Sequence, residues 1–132
     1  TNDELQRLID ADERESRARA GLGADQPAVE SYLSSALIAV EEFDAKRLEA
    51  TLRAAVLRMP TEEVLDQVIG PLLFTIGSLW HQGVLRPANE HLASATIRKV
   101  LTWMAELSVA DPTAPMVVVG TPTHHLHELG AM

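Results

Sequence analysis

The chain has 132 residues, of which 46% are hydrophobic, enough for one modest domain with a packed core. Its 19 acidic and 11 basic residues give a formal net charge of -8, so this chain alone should be repelled by the phosphate backbone of nucleic acids. The absence of cysteine excludes disulfides and thiolate metal sites and permits a cytoplasmic location. No apolar run approaches the roughly 18 residues that a membrane span requires.

Residues 1–24 are rich in charged side chains and carry few apolar positions. Glu13 precedes Arg17, and Glu15 precedes Arg19, by the spacing that supports ion pairs on one face of a helix. This segment is therefore predicted to be a solvated helix or the tail of a preceding domain.

Apolar residues recur at helical spacing between residues 25 and 111 and predict four amphipathic helices with short connections. The first helix is predicted to begin after the capping residue Asp25 and to enter through Pro27. The second is predicted to begin after Asp44, another candidate cap, and to end before Pro60, which cannot continue a helix.

The third helix is predicted from Thr61, with a kink at residues 70–71, where a glycine precedes a proline, and with its end at Gly83. The fourth is predicted to enter at Pro87 and to run to about Ala110, before an Asp-Pro pair. Four helices in this arrangement predict a four-helix bundle.

The pattern changes after Pro115. Residues 116–119 form a short run of mostly β-branched residues closed by Gly120, which is typical of a buried strand in a parallel sheet. A single strand cannot form a sheet, and the sequence stops at Met132, where a helix should follow. Residues 112–132 are therefore expected to be the start of a truncated α/β domain.

Aromatic and ionisable residues flank the connection between the third and fourth helices. Trp80 and His81 end the third helix, with Trp80 in its apolar stripe, and Glu90 and His91 begin the fourth. Antiparallel packing would bring all four residues to one end of the bundle. Glu90 is expected at the head of the apolar face of its helix, where a charge requires a partner.

These four residues alone permit more than one interpretation. They could form a ligand site, or Trp80 could be an ordinary core residue, with Glu90 favouring a helix N-terminus and both histidines on the surface. A metal site is a third option, but His81 and His91 lie on different helices and the usual i, i+4 histidine pair is missing.

Three further histidines, His124, His125 and His127, follow the predicted strand directly. They fall in the loop at the carboxyl end of that strand, where open α/β sheets bind ligands. Such a cluster without other ligands is weak evidence for zinc. A histidine held in this loop could instead coordinate a cofactor metal through one ring nitrogen while a neighbour orients the other.

Together the two clusters resemble the cobalamin-binding region of the CarH/LitR-type, light-dependent transcriptional regulators of the MerR family. That family has a tryptophan, nine residues and a Glu-His pair, which Trp80, Glu90 and His91 match. The resemblance covers the predicted bundle, from Pro27 to Ala110, and the strand and loop that follow.

The second part of the family pattern is a loop with the order acidic-x-His-x-x-Gly, which opens the cobalamin domain. His127 and Gly130 match its histidine and glycine. His125 stands where the family has the acidic residue, and this departure affects how His127 would be oriented.

The resemblance implies a mainly α fold in which a four-helix bundle caps adenosylcobalamin above the start of a Rossmann-like α/β cobalamin-binding domain. It implies that Trp80, Glu90 and His91 lie next to the adenosyl group, and that His127 is the lower cobalt ligand. His81, next to the tryptophan, is the residue that could take the upper cobalt position after the adenosyl group has left.

By this resemblance the chain is the sensory region of a transcriptional regulator and not an enzyme. Light-driven cleavage of the cobalt–carbon bond, or loss of the ligand, would change its oligomeric state and DNA binding. DNA would be bound only through a missing N-terminal helix-turn-helix domain, of which residues 1–24 would be the end. Self-association as a homodimer or higher oligomer could use Leu92 and Trp103, and no membrane is implicated.

Two other functions remain open. A corrinoid carrier protein of a methyltransferase system would also keep the loop histidine, but the pattern from Trp80 to Glu90 and His91 suits an adenosyl group better than a small methyl. A relative that has lost cobalamin would use the bundle for protein contacts alone, as His125 at the acidic position suggests. No Ser/His/Asp arrangement or phosphate-binding glycine loop indicates catalysis by the chain itself.

Overall fold

A computed structural model describes residues 26–120, with side chains from residue 28 onward. Within this range the chain forms four helices, so the mainly α prediction is confirmed there. We define α3 as residues 61–81, which comprise three consecutive helical segments. The elements are α1 (Gln26–Glu41), α2 (Ala45–Arg58), α3 (Thr61–Glu63, Val64–Ile69 and Gly70–His81) and α4 (Pro87–Leu107).

All four helices contribute to one apolar core. α1 packs against each of the other three helices, and α4 also contacts α2 and α3. Burying each of the larger aliphatic side chains stabilises the fold by roughly 1.5–3 kcal/mol. The largest fully buried side chains are Leu48, Leu52, Leu72, Ile97, Val40, Val64, Val68 and Val100.

The first connection confirms one predicted cap. The Asp44 carboxylate accepts a hydrogen bond from the Arg47 backbone N–H at 2.9 Å, which satisfies an amide at the start of α2. Phe43, just before it, has a φ of 59°, a left-handed conformation that usually requires glycine. The other predicted cap, Asp25, lies outside the described residues.

α3 contains a π-helical segment, Val64–Ile69, directly before the glycine–proline pair at which a kink is predicted. Pro71 has no N–H, so it cannot donate to the carbonyl of Gln67 four residues earlier. The N–H of Gly70 donates to the carbonyl of Leu65, five residues earlier, as in a π-helix. A Cβ on Gly70 would lie only 3.2 Å from that oxygen. The proline therefore widens the helix at the preceding turn instead of ending it.

The connection between α3 and α4 begins at the predicted glycine. Gly83 has a φ of 76°, its N–H donates to the Trp80 carbonyl, and the Val84 N–H donates to the Leu79 carbonyl. This paired arrangement is a Schellman motif, which closes the carbonyl end of α3. The prediction that Gly83 ends this helix is confirmed.

Asn89 holds the start of α4 against the end of α1. Its side-chain amide is buried and donates to the backbone carbonyl of Val40 at 2.7 Å and to that of Glu41 at 3.4 Å. These carbonyls belong to the last turn of α1, where acceptors lack the regular i→i+4 donors, and the Val40 carbonyl also accepts from the Phe43 N–H at 3.2 Å. The contact joins segments far apart in sequence, and no sequence pattern predicted it.

Charged side chains join α2 to α4 on the surface. The Glu49 carboxylate accepts hydrogen bonds from Lys99 Nζ at 2.7 Å and from Arg53 Nε at 2.9 Å. The guanidinium of Arg53 also lies 4.3 Å from the centre of the Trp103 ring, a cation–π distance. The hydrogen bond from Lys99 is the main cause that lowers the pKa of Glu49 below its ordinary value of 4.5.

The chain departs from prediction after α4. This helix ends at Leu107 rather than near Ala110, because Met104 is its last buried residue and no further packing supports the helix beyond it. Residues 116–119 are exposed and form no strand, so the predicted buried strand is absent from the described residues. Residues 26–120 contain no strand whose backbone could pair with residues 116–119.

Among the described helices, none is both long and apolar enough to cross a bilayer. The predicted tail, residues 1–24, and most of the histidine loop, residues 121–132, lie outside the described range.

We predict that Asn89→Ala lowers the free energy of unfolding by about 0.5–1.5 kcal/mol, because it removes the buried hydrogen bond between α4 and α1, although the Val40 carbonyl keeps the Phe43 N–H as a donor. Thr102→Ala is the matched control on the same helix, since the exposed Thr102 hydroxyl bonds only within α4. Urea denaturation followed by circular dichroism measures both variants. Equal stability of the two would contradict a clamping role for Asn89.

We also predict that the contacts of Glu49 make stability depend on pH. Because the folded pKa is lowered, their contribution is fully present above the unfolded pKa and is lost as the pH falls through the folded value. Between about pH 6 and about pH 3 the wild type should therefore lose more stability than Glu49→Gln.

Glu30→Gln is the control for this pH experiment, because Glu30 is exposed on α1 and makes no ion pair within the described residues. Thermal denaturation at several pH values compares the three proteins. Parallel pH profiles of the wild type and Glu49→Gln would show that the Glu49 contacts contribute nothing.

Candidate functional site

The structure brings Trp80, His81, Glu90 and His91 to one end of the bundle, as predicted. Trp80 and His81 form the last turn of α3, and Glu90 and His91 lie in the first turn of α4. Residues 82–86 join the two helices directly. We call these four residues the hairpin site.

Trp80 is not a core residue in the described structure. Its side chain is 50% exposed, whereas Leu72 and Ile76 of the same helical segment are buried. Leaving half of the largest apolar side chain in water forgoes much of the stabilisation that its burial would provide. This exposure disfavours the interpretation of Trp80 as an ordinary core anchor.

Glu90 has the partners that its position required. Ser94 Oγ donates to Glu90 Oε1 at 2.6 Å, and His91 Nδ1 lies 2.8 Å from Glu90 Oε2. The Glu90 side chain is 31% exposed and that of His91 is 79% exposed. The carboxylate is therefore oriented from both sides, and sequence analysis assigned no role to Ser94.

The contact between Glu90 and His91 also orients the imidazole. When His91 is neutral, a proton on Nδ1 that bonds to the carboxylate leaves the lone pair on Nε2. His91 then presents an acceptor nitrogen to its surroundings. Glu90 itself keeps lone pairs for a further donor such as a hydroxyl group, because each carboxylate oxygen can accept more than one hydrogen bond.

His81 is exposed and follows Trp80 directly. Within residues 26–120 its side chain makes no hydrogen bond or ion pair. Its imidazole nitrogens are therefore available to a ligand or a metal ion. No group of three or more His, Cys, Asp or Glu side chains in the described part of the chain is arranged to hold a metal ion.

An open depression of about 520 Å³ lies at the same end of the bundle, and sequence analysis did not anticipate it. It is lined by the turn after α1, the connection between α3 and α4, and the start of α4. Phe43, with its positive φ, is 57% exposed at its rim. The lining residues are Glu41, Phe43, Val84, Leu85, Arg86, Ala88 and Asn89.

The remaining predicted site residues, His127 and Gly130, lie outside the described residues, as do His124 and His125. Their predicted roles stay predictions.

The class of protein follows from a family comparison. Residues 32–104, which run from α1 into the last turns of α4, match the family described as "B12 binding domain". The match covers more than half of the chain. The chain belongs to this family of cobalamin-binding domains, and its membership supports cobalamin as the cofactor.

A more specific relative is the HTH-type transcriptional repressor CarH of Myxococcus xanthus. The chain is 31% identical to it over 116 residues, which are 86% of this chain and 38% of that protein. The chain thus spans well under half of the length of this repressor. The two findings confirm the predicted resemblance to the CarH-type cobalamin-binding region.

The exposed groups of the hairpin site fit a cobalt corrinoid. Trp80 offers uncovered aromatic surface for a large ligand, and Glu90 offers acceptor oxygens for hydroxyl groups. His81 offers an imidazole without a partner in the described structure, and imidazole is a suitable ligand for cobalt.

We predict that Trp80→Ala lowers the free energy of unfolding by only about 1 kcal/mol, because half of the side chain is already in water. Leu72→Ala on the same helical segment should cost about 2–5 kcal/mol, since it opens a cavity in the core. Urea denaturation measures both variants. A cost for Trp80→Ala as large as that for Leu72→Ala would restore the core interpretation of Trp80.

Proposed function

We propose that the chain is the sensory region of a transcriptional regulator and that it binds adenosylcobalamin between its helical bundle and an α/β domain. The observation that carries this proposal is the half-exposed Trp80 beside an imidazole that has no partner within residues 26–120, at the end of a bundle that belongs to the B12-binding family. Similarity to a transcriptional repressor supports the regulatory role.

In this proposal the hairpin site covers the upper face of the cofactor. Trp80 packs on the adenosyl group, and Glu90, oriented by Ser94 and His91, accepts hydrogen bonds from hydroxyl groups. His127 is the lower cobalt ligand, and Gly130 belongs to the same loop. We also propose that residues 112–132 begin the α/β domain, with residues 116–119 as a strand once neighbouring strands are present.

When bound, adenosylcobalamin would supply a light-sensitive cobalt–carbon bond and a cobalt ion that accepts nitrogen ligands. The contribution of the chain is to hold an imidazole ready for the upper cobalt position. His81 suits that role, because it is exposed next to Trp80 and its side chain has no competing partner within residues 26–120. Loss of the adenosyl group would also leave a cavity beside the helices, and this cavity would favour movement of α3 or α4.

We propose that this change alters self-association and thereby DNA binding through an N-terminal helix-turn-helix domain. Leu92 and Trp103 remain the candidate contact residues on α4. Both are partly buried against the core, and Arg53 already covers one face of the Trp103 ring. Only their exposed parts would take part in an interface.

A corrinoid carrier of a methyltransferase system is the alternative, since it too would contain a B12-binding domain. Similarity to a repressor favours the regulator, and so does an exposed tryptophan, which suits a larger upper group than methyl. We propose no reaction catalysed by the chain itself.

The test is a visible absorption spectrum of the full-length protein with adenosylcobalamin, in the dark and after green light. We expect a retained cobalamin band that changes on illumination. His127→Ala should alter the dark spectrum, because it removes the lower ligand. His81→Ala should leave the dark spectrum unchanged and alter the spectrum after light, because it removes the proposed upper ligand.

Gln82→Ala is the control for a general effect of removing an exposed polar side chain next to His81, because Gln82 has no role in the proposed site. Failure of the wild type to retain cobalamin would reject the proposed function. Retention of methylcobalamin in preference to adenosylcobalamin would favour the carrier function instead.

A further inference from the structure

Gly77 is a glycine that the described fold does not require. It lies in the middle of the segment Gly70–His81, is exposed, and has a helical backbone that any residue could adopt. A Cβ at this position would meet nothing within 4 Å. Gly70 and Gly83 differ, because the first approaches the Leu65 carbonyl closely and the second has a positive φ.

A helix with glycine in its middle is less stable than the same helix with alanine there, because glycine gives the unfolded chain more conformational freedom, which is lost on folding. No contact within the described residues offsets this cost at Gly77. Such a position is explained when something outside the helix must approach its backbone more closely than a side chain would allow.

The neighbours of Gly77 indicate where that approach occurs. Phe74, Trp80 and His81 lie three or four residues away along the helix and therefore on adjoining parts of the same face. Helical side chains lean toward the N-terminus, so those of Trp80 and His81 extend toward the turn that contains Gly77. Phe74 is 78% and Trp80 50% exposed. Gly77 thus leaves a depression in the helix surface between exposed aromatic and imidazole side chains.

We infer that Gly77 provides the clearance for a large group on the upper face of cobalamin, so that this group can lie against the α3 backbone beside Trp80 and His81. This inference rests on the proposed function. A glycine could equally admit a second helix from a protein partner, but Glu90 and His91 face the same end of the bundle with polar groups that suit a ligand. Gly77 then selects for the size of the upper group.

The inference predicts opposite effects of one substitution on stability and on binding. Gly77→Ala should raise the Tm of the cobalamin-free protein by about 3–6 °C, because it improves helix propensity and its methyl group meets nothing. It should weaken binding of adenosylcobalamin roughly tenfold, because the methyl group occupies space that the upper group needs.

Aquacobalamin, whose upper ligand is one water molecule, should bind Gly77→Ala and the wild type equally. Gly77→Leu should also retain aquacobalamin, and it should bind adenosylcobalamin more weakly than Gly77→Ala does. Ala50→Leu is the matched control, because it adds the same type of side chain at an exposed position of α2. This control should bind both cobalamins as the wild type does.

The experiment titrates the full-length protein with adenosylcobalamin and with aquacobalamin under dim red light and follows the cobalamin spectrum. Differential scanning calorimetry of the cobalamin-free proteins gives the Tm. Selective loss of adenosylcobalamin together with a raised Tm supports the inference.

Unchanged adenosylcobalamin binding by Gly77→Leu would overturn it, as would equal loss of both cobalamins. A lowered Tm of Gly77→Ala would also overturn it, because the added methyl group would then meet an existing neighbour. A changed oligomeric state of Gly77→Leu with normal cobalamin binding would assign the face to a protein partner. If the wild type binds neither cobalamin, the proposed function fails, and the inference fails with it.

Discussion

The geometry of the hairpin site depends on the buried hydrogen bond from the Asn89 amide to the Val40 carbonyl. This bond joins the first turn of α4 to the last turn of α1, and the Val40 carbonyl that accepts it also accepts the Phe43 N–H. Glu90 and His91 follow Asn89 directly, so the orientation of Asn89 also sets where their side chains emerge. An amide at this position is costly to bury unless it is paired, and it therefore allows few alternative placements of α4.

The backbone of α3 supplies the second constraint. Because Pro71 lacks an N–H, the preceding turn widens into a π-helical segment, which changes the rotation per residue relative to an α-helix. Every residue after this segment is rotated relative to the position that regular helical spacing predicts. Trp80 follows the buried Leu72 and Ile76 at regular spacing in the same segment, so its exposure has another origin: Trp80 lies in the last turn of α3, at the end of the bundle. The Schellman motif at Gly83 then ends the helix immediately beyond the site.

Stability and recognition are assigned to different residues in this bundle. The fully buried aliphatic side chains hold the helices together, whereas Trp80 and His81 remain uncovered and Gly77 weakens the helix that carries them. Phe43 adds a left-handed backbone conformation at the same end. Some residues have an unfavourable exposure or backbone conformation that no contact within the described fold offsets. Such residues tend to lie where a ligand or partner binds. Their concentration at one end of the bundle agrees with a cofactor-binding role there.

The sequence by itself determined the helices, because the signals that begin and end them act within a few residues: Asp44, Pro60, Gly83 and Pro87 mark boundaries that the structure retains. The resemblance to a known family, carried in part by Trp80, Glu90 and His91, indicated the cobalamin-binding class. Only the tertiary structure decided that Asn89 is buried on α1, that Trp80 is uncovered and that Ser94 orients Glu90. It also left residues 116–119 without strand pairing. Burial and pairing depend on which distant segments meet, and periodicity along one helix carries no information about that.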